Sequence, residues 1–134
     1  MSNYSVPSNL RFSETHEWVE DLGNNKYRIG ISDFAAQHVG DITYVELPEI
    51  NEDVDNESVV CNIETVKSSE DINNQISGTV VTINEMLSEN PEIVGADCYG
   101  DGWLYEVQSD SDEDFKALMS ADEYDKFLDE QDDE

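Results

Sequence analysis

Apolar positions in this chain recur at short intervals, and their period changes towards the C-terminus. Lys26-Tyr27-Arg28-Ile29-Gly30-Ile31 alternates, with Tyr27, Ile29 and Ile31 on one face, which predicts a half-buried strand. Ser32 then suits the cap of a short helix, with Asp33 in its first turn and Gly40 just past its end. Ile42 to Leu47 reads as a strand ended by Pro48, and Glu49 to Glu57 as a polar loop. Two apolar runs follow, Val59-Val60-Cys61-Asn62-Ile63 and Gly78-Thr79-Val80-Val81-Thr82-Ile83. Between them lies a polar stretch holding Lys67, a layout that predicts a hairpin with the lysine at or near its tip. A loop through Asn90-Pro91 leads to a strand from Trp103 to Val107. Beyond it the period lengthens: Phe115, Leu118 and Met119 form one helical stripe. Ser120-x-x-Glu123 is a capping box ahead of a second helix carrying Tyr124, Phe127 and Leu128. Many short strands and two terminal helices predict a small β-rich domain packed by helices at one end.

Composition sharpens this picture where it concerns partners. A chain of 134 residues suits one ordinary domain, here taken as residues 1–128, with 129–134 (Asp-Glu-Gln-Asp-Asp-Glu) a frayed acidic tail. Six Lys and Arg face 33 Asp and Glu, for a net charge of −27. That balance argues against nucleic-acid phosphates and anionic membrane surfaces, which want clustered cations. It suits partners with basic docking faces, or high solubility. No run approaches the ~20 apolar residues of a membrane span. The first residues show neither a signal-peptide h-region nor an Arg-rich transit peptide. The expectation is a cytoplasmic protein, or an organellar matrix protein whose presequence has been removed. Cys61 and Cys98 do not make a disulfide framework or a zinc motif, and both read as free thiols. Asp53-x-Asp55-x-Glu57 with Glu64 twelfth looks like a calcium loop. It fails because Ser58 stands where the sharp turn needs glycine and strands flank it. Asp110-Ser111-Asp112-Glu113-Asp114 reads as the acidic start of a helix.

Lys67 draws attention because it stands nearly alone among acids, in Glu64-Thr65-Val66-Lys67-Ser68-Ser69-Glu70-Asp71. This segment resembles the lipoyl-attachment hairpin of the glycine cleavage system H-protein family, with its Glu-Ser-Val-Lys core. Further blocks match in the family's order: Thr15-His16-Glu17-Trp18-Val19, Gly30-Ile31-Ser32-Asp33-Phe34-Ala35 with His38-Val39-Gly40-Asp41-Ile42, Tyr44-Val45-Glu46-Leu47-Pro48, and Tyr99-Gly100-Asp101-Gly102-Trp103. Each is short; together, in register from about residue 10 to residue 128, they make chance resemblance very small. The chain departs from the family pattern in three places. Asn74-Gln75-Ile76-Ser77-Gly78 replaces the usual Pro-x-Ser-Gly, the loop 51–57 lacks the family's Gly and Lys, and Ser-Glu-Asp follows the lysine where small residues are usual.

The resemblance implies a mainly β barrel-sandwich hybrid of the lipoyl/biotinyl kind, with a short internal helix and C-terminal helices. It implies lipoate joined covalently to Lys67, and a carrier that is not itself a catalyst. A lysine suits that task chemically: four methylenes and a primary amine give a stable amide on a long flexible stem. Biotin carriers show Met on both sides of the lysine, whereas Lys67 has Val66 and Ser68. Glu64 matches an acidic residue that helps a lipoyl-attaching enzyme recognise the hairpin, set against a plain solvated carboxylate. Thr15, Glu17, His38 and Asp71 match the residues of a cleft that shelters the loaded arm. For His38 the plainer reading is a histidine closing a helix before Gly40, and Trp18 and Trp103 read as core. The implied partners are a pyridoxal-phosphate (PLP) glycine decarboxylase, a tetrahydrofolate-dependent aminomethyltransferase and a dihydrolipoyl dehydrogenase using FAD and NAD. Two alternatives are an H-like lipoyl relay without a full glycine pathway and an unlipoylated acidic interaction module.

Overall fold

The computed structural model describes residues 4–132. The N-terminal half supplies β1 (Arg11–Phe12), β2 (Glu17–Gly23), β3 (Lys26–Ile31), the helix α1 (Asp33–Val39), β4 (Ile42–Glu46), β5 (Asp53–Val54) and β6 (Val59–Thr65). It is followed by β7 (Ser69–Asn73), β8 (Gly78–Ile83), a 3-10 turn at Glu85–Ser88, α2 (Ile93–Ala96) and β9 (Tyr105–Gln108). The chain ends in α3 (Glu113–Lys116), β10 (Met119–Ser120) and α4 (Ala121–Asp132). The strands form a seven-stranded sheet, ordered β10-β1-β2-β3-β9-β8-β5, and a three-stranded sheet, ordered β4-β6-β7. All neighbouring strands are antiparallel. This is the mainly β architecture that the many short strands predict.

One core cluster draws on both sheets: Val19, Ile29 and Ile31 from β2 and β3, Val80 and Val107 from β8 and β9, and Val45, Cys61 and Ile63 from β4 and β6. Period-two alternation places these side chains on the shared inner face. A second cluster lies where α4 covers β1 and β2, with Phe12, Trp18, Tyr124 and Leu128 all buried. There the rings of Phe12 and Tyr124 stack at 4.4 Å.

Local signals in the sequence locate several elements. Ser32 Oγ accepts the Ala35 N–H at 3.2 Å and caps α1, and Gly40 ends it at φ 79°, where a glycine carries no Cβ penalty. The capping box forms as expected: Glu123 N–H donates to Ser120 Oγ at 3.2 Å, and Ser120 N–H to Glu123 Oε1 at 2.8 Å.

Elsewhere the fold corrects the sequence reading. The strand that returns from Lys67 is β7, Ser69–Asn73, whereas Gly78–Ile83 pairs with β5 and β9 in the other sheet. Only Ile72 of β7 is buried, so this strand lacks the apolar alternation that marks one in sequence. The loop 49–57 contains β5, anchored by buried Val54. The segment around Pro91 is helical at Glu85–Ser88 and Ile93–Ala96. The stripe Phe115-Leu118-Met119 is not one helix: α3 stops at Lys116, and Met119 pairs with Phe12 as an edge strand. α4 runs to Asp132, so residues 129–132 are helical rather than frayed; Asp133 and Glu134 lie outside the described residues. Trp103 is only half-buried, with the Arg28 guanidinium 4.7 Å above its ring.

Candidate functional site

Lys67 lies in the three-residue turn between β6 and β7 and is exposed. Thr65 stiffens this turn. Its N–H donates to the Ser68 carbonyl at 2.8 Å, while its Oγ1 accepts the N–H groups of Ser68 (2.9 Å) and Lys67 (3.2 Å). The Val66 N–H donates to the Asp41 carbonyl at 3.2 Å, tying the tip to the chain entering β4. Such side-chain bonds offer the backbone partners that a strand ladder no longer supplies. The Lys67 ammonium makes no ion pair among the described residues. Glu64 sits at the end of β6, opposite Tyr44 and Ser69, with its carboxylate exposed.

The other four expected site residues meet in one cleft of about 260 Å³. Thr15 and Glu17 come from the turn into β2, His38 from the last turn of α1, and Asp71 from β7. β7 is the strand leaving the Lys67 turn, so the hairpin that presents the lysine also walls the cleft. Asp71 lies within β7, four positions after Lys67 in sequence. The remaining lining is mostly apolar, including Ile31, Phe34, Val39 and Ile63. Lys67 and Glu64 themselves do not line it.

Glu17 is the buried polar centre, only 1% exposed. Its Oε1 accepts from Ser13 Oγ (2.6 Å), from Thr15 Oγ1 and from Gln75 Nε2 (3.0 Å). Among the described residues its Oε2 accepts only the Asn73 N–H, at 3.4 Å. Burial raises the Glu17 pKa above the ordinary carboxylate value, and the four donors oppose that rise. A raised folded-state pKa means that Glu17 favours the fold most below its unfolded pKa, and that this contribution is lost as pH rises through the folded value. Glu17→Gln should therefore gain thermal stability relative to wild type between about pH 4 and pH 7. Melting curves of both proteins across that range check this; a difference that stays flat would rule out a raised Glu17 pKa.

His38 Nδ1–H donates to the Phe34 carbonyl at 2.8 Å, one helical turn back, and its ring stacks on Phe34 at 4.1 Å. Asp71 accepts from Asn62 Nδ2 at 3.0 Å and is exposed at the rim, beside Glu70. Sequence reasoning gave no role to His16, which also lines the cleft. The Tyr124 hydroxyl donates to Ser32 Oγ at 2.8 Å, so it accepts from His16 Nδ1–H, also at 2.8 Å. Burial, and then the nearby His38, lower the His16 pKa. His16 has a φ of 73°, in the left-handed region that side chains with a Cβ rarely occupy. That backbone, within Thr15-His16-Glu17, was the signal available in sequence only as a motif. Ser13 and Gln75 were also missed, having no sequence signal beyond the missing proline at 75.

Buried Cys61 and Cys98 are free, and burial lifts both thiols to about 12. They are therefore protonated and poorly nucleophilic at neutral pH. Among the described residues no cluster of His, Cys, Asp and Glu could hold a metal ion, and no helix is long and apolar enough to cross a membrane.

Comparison with known proteins identifies the family of the chain. Residues 10–131 match the family model described as glycine cleavage H-protein. The glycine cleavage system H protein of Alteromonas mediterranea is 40% identical over 131 residues, covering 98% of this chain and all of that one. That of a Psychrobacter species is 41% identical over 124 residues, covering 92% and 97%. The crystal structure of a glycine cleavage system H protein from Mycobacterium marinum superposes with a TM-score of 0.80 at 29% identity, covering 89% of this chain and 95% of that one. The shared fold is the barrel-sandwich hybrid with C-terminal helices. By its motifs, its fold and these matches, the chain belongs to the glycine cleavage H-protein family and is a carrier component rather than a catalyst.

Proposed function

We propose that this chain carries lipoate as an amide on Lys67 and shuttles the aminomethyl group of glycine between the enzymes of the cleavage system. The observation that carries this reading is the exposed Lys67 ammonium, without an ion pair among the described residues, on a stiffened turn of the same hairpin that walls the cleft. The residues present fit the group. The amine is available for acylation, and a cleft with apolar walls and acidic residues suits a hydrocarbon arm ending in an amine. When attached, lipoate supplies a dithiolane sulfur that accepts and releases the one-carbon unit and two electrons.

This chain's residues bind and shelter that unit. Ile31, Phe34, Val39 and Ile63 exclude water from the cleft, while Glu17, Asp71 and Glu70 favour a cationic amine inside it. Thr15 orients Glu17 through its hydroxyl, and His38, held by the Phe34 carbonyl, closes the helix side of the cleft. In this reading Glu64, exposed three residues before the lysine, serves recognition by the lipoyl-attaching enzyme. The donor partner is a PLP-dependent glycine decarboxylase and the acceptor a tetrahydrofolate-dependent aminomethyltransferase. A flavin dihydrolipoyl dehydrogenase reoxidises the dithiol with NAD. Tethering raises the effective concentration of the arm at each docked enzyme, and the net charge of −27 favours steering by basic docking faces.

The test is lipoylation of the purified protein by a lipoate-attaching ligase with ATP and lipoate, followed by intact-mass and peptide mapping. One lipoyl amide on Lys67 is the expected result. An unmodified Lys67, or modification at Lys26, Lys116 or Lys126 instead, would overturn the assignment.

A further inference from the structure

The two oxygens of Glu17 are treated very differently by their surroundings. Among the described residues, Oε1 receives three donors, from Ser13, Thr15 and Gln75, whereas Oε2 receives only the long Asn73 N–H at 3.4 Å. A carboxylate oxygen with both lone-pair directions occupied cannot serve a guest, and one with a single weak donor can. Gln75 is the long-range member of this set. It reaches across from the loop before β8, and its Nε2 donates to Glu17 Oε1 (3.0 Å), the Asn73 carbonyl (3.3 Å) and Thr15 Oγ1 (3.4 Å). Three acceptors around one nitrogen also fix which end of the amide faces them. Gln75 lines a second hollow of about 500 Å³, while Glu17 lines the cleft, and Thr15 lines both. This is the segment in which the chain departs from the family's sequence pattern, and a proline there could donate no such bonds.

We propose that Gln75 is a positioning residue: it occupies Glu17 Oε1 and so leaves Oε2 as the oxygen offered to the ammonium of the cargo in the cleft. This rests on the reading of the cleft given above. Ser13 and Thr15 alone can rotate their hydroxyls elsewhere, because each is a single rotor with another partner in reach. The Gln75 amide is held by the Asn73 carbonyl at the end of β7, so it fixes the plane of the carboxylate. The charge it faces is set by Glu17 on β2, with Glu70 and Asp71 on β7, His38 on α1, and His16 beside Glu17.

The experiment has two readouts in the same variants, Gln75→Leu and Gln75→Glu, with Glu17→Gln as reference. The first is carboxyl-carbon NMR titration of Glu17 in the protein without lipoate. The second is formaldehyde release from the lipoylated, aminomethyl-loaded protein without the transferase. There water attacks the S–CH2–NH3+ carbon, the C–S and C–N bonds break, and thiol, formaldehyde and ammonium result. Loss of one donor to a charged oxygen is worth on the order of tenfold. Gln75→Leu should move the Glu17 titration upward and speed formaldehyde release about tenfold. Gln75→Glu, placing a like charge beside Glu17, should move the titration further in the same direction. An unmoved Glu17 titration in both variants overturns the proposal. So does a moved titration with unchanged release, provided Glu17→Gln does speed release. Unchanged release in Glu17→Gln instead overturns the reading of the cleft itself, and the positioning role with it.

Discussion

Lys67→Arg should yield a protein that folds and melts like wild type, accepts no lipoyl group and supports no glycine-dependent release of carbon dioxide in the reconstituted system. The guanidinium keeps the positive charge and nearly the length of the side chain. It is protonated at any accessible pH and its nitrogens are delocalised, so it does not form the amide. Structurally the exchange is mild, because the Lys67 side chain makes no hydrogen bond or ion pair among the described residues. The backbone bonds that shape the turn belong to Thr65 and Ser68 and are indifferent to residue 67 beyond its N–H. Stability should change by less than about 0.5 kcal/mol. Intact mass, a thermal melt and the coupled assay check the three parts. Retained turnover in the variant would place the functional group elsewhere.

Trp18→Ala is expected to cost about 3–5 kcal/mol of unfolding free energy. Trp18 is 1% exposed and belongs to the cluster that joins α4 to the main sheet. Its Nε1–H donates to the Cys98 carbonyl at 2.9 Å, linking β2 to the turn after α2. The indole lies so close over Gly30 that a Cβ there would stand 2.6 Å from its ring atoms. The side chain thus fills space that neighbouring backbone cannot collapse into, which puts the cost at the upper end of the range. The Cys98 carbonyl would also lose its partner. For a domain whose total stability is on the order of 5–15 kcal/mol, this is a large fraction. Guanidinium denaturation of both proteins measures it. A loss below about 1 kcal/mol would mean that α4 and the sheet are not held together through this residue.

Legibility of the fold followed the physics of each segment. Helix α1 was readable because Ser32 and Gly40 act within a few residues of themselves, and β3 because Tyr27, Ile29 and Ile31 keep strict alternation. β7 was not readable. It is an edge strand with one buried residue, Ile72, and its pairing is fixed by the turn at Lys67 rather than by its own pattern. The more apolar Gly78–Ile83 drew the hairpin assignment because it looks like a strand regardless of which sheet owns it. Phe115, Leu118 and Met119 are all at least partly buried, but strand pairing with β1 claims Met119, which helical spacing cannot foresee. For the site, the Thr15-His16-Glu17 segment, His38 and Asp71 are distant from one another in sequence, so only the resemblance grouped them. The fold brings them together in one cleft, as the resemblance implies, and it alone shows that Ser13 and Gln75 complete the surroundings of Glu17.

Lys67 makes no ion pair among the described residues, which would separate folding from the proposed acylation. Acylation would remove one of six cations and shift the net charge from −27 to −28, yet it would break no interaction within the described residues. Under the proposed lipoylation, the newly made chain would reach its final shape before it meets an attaching enzyme, and wait as a finished scaffold until lipoate is available. Bare and charged forms would then share one architecture and differ chiefly in electrophoretic mobility, so anion exchange would resolve the two pools without unfolding either.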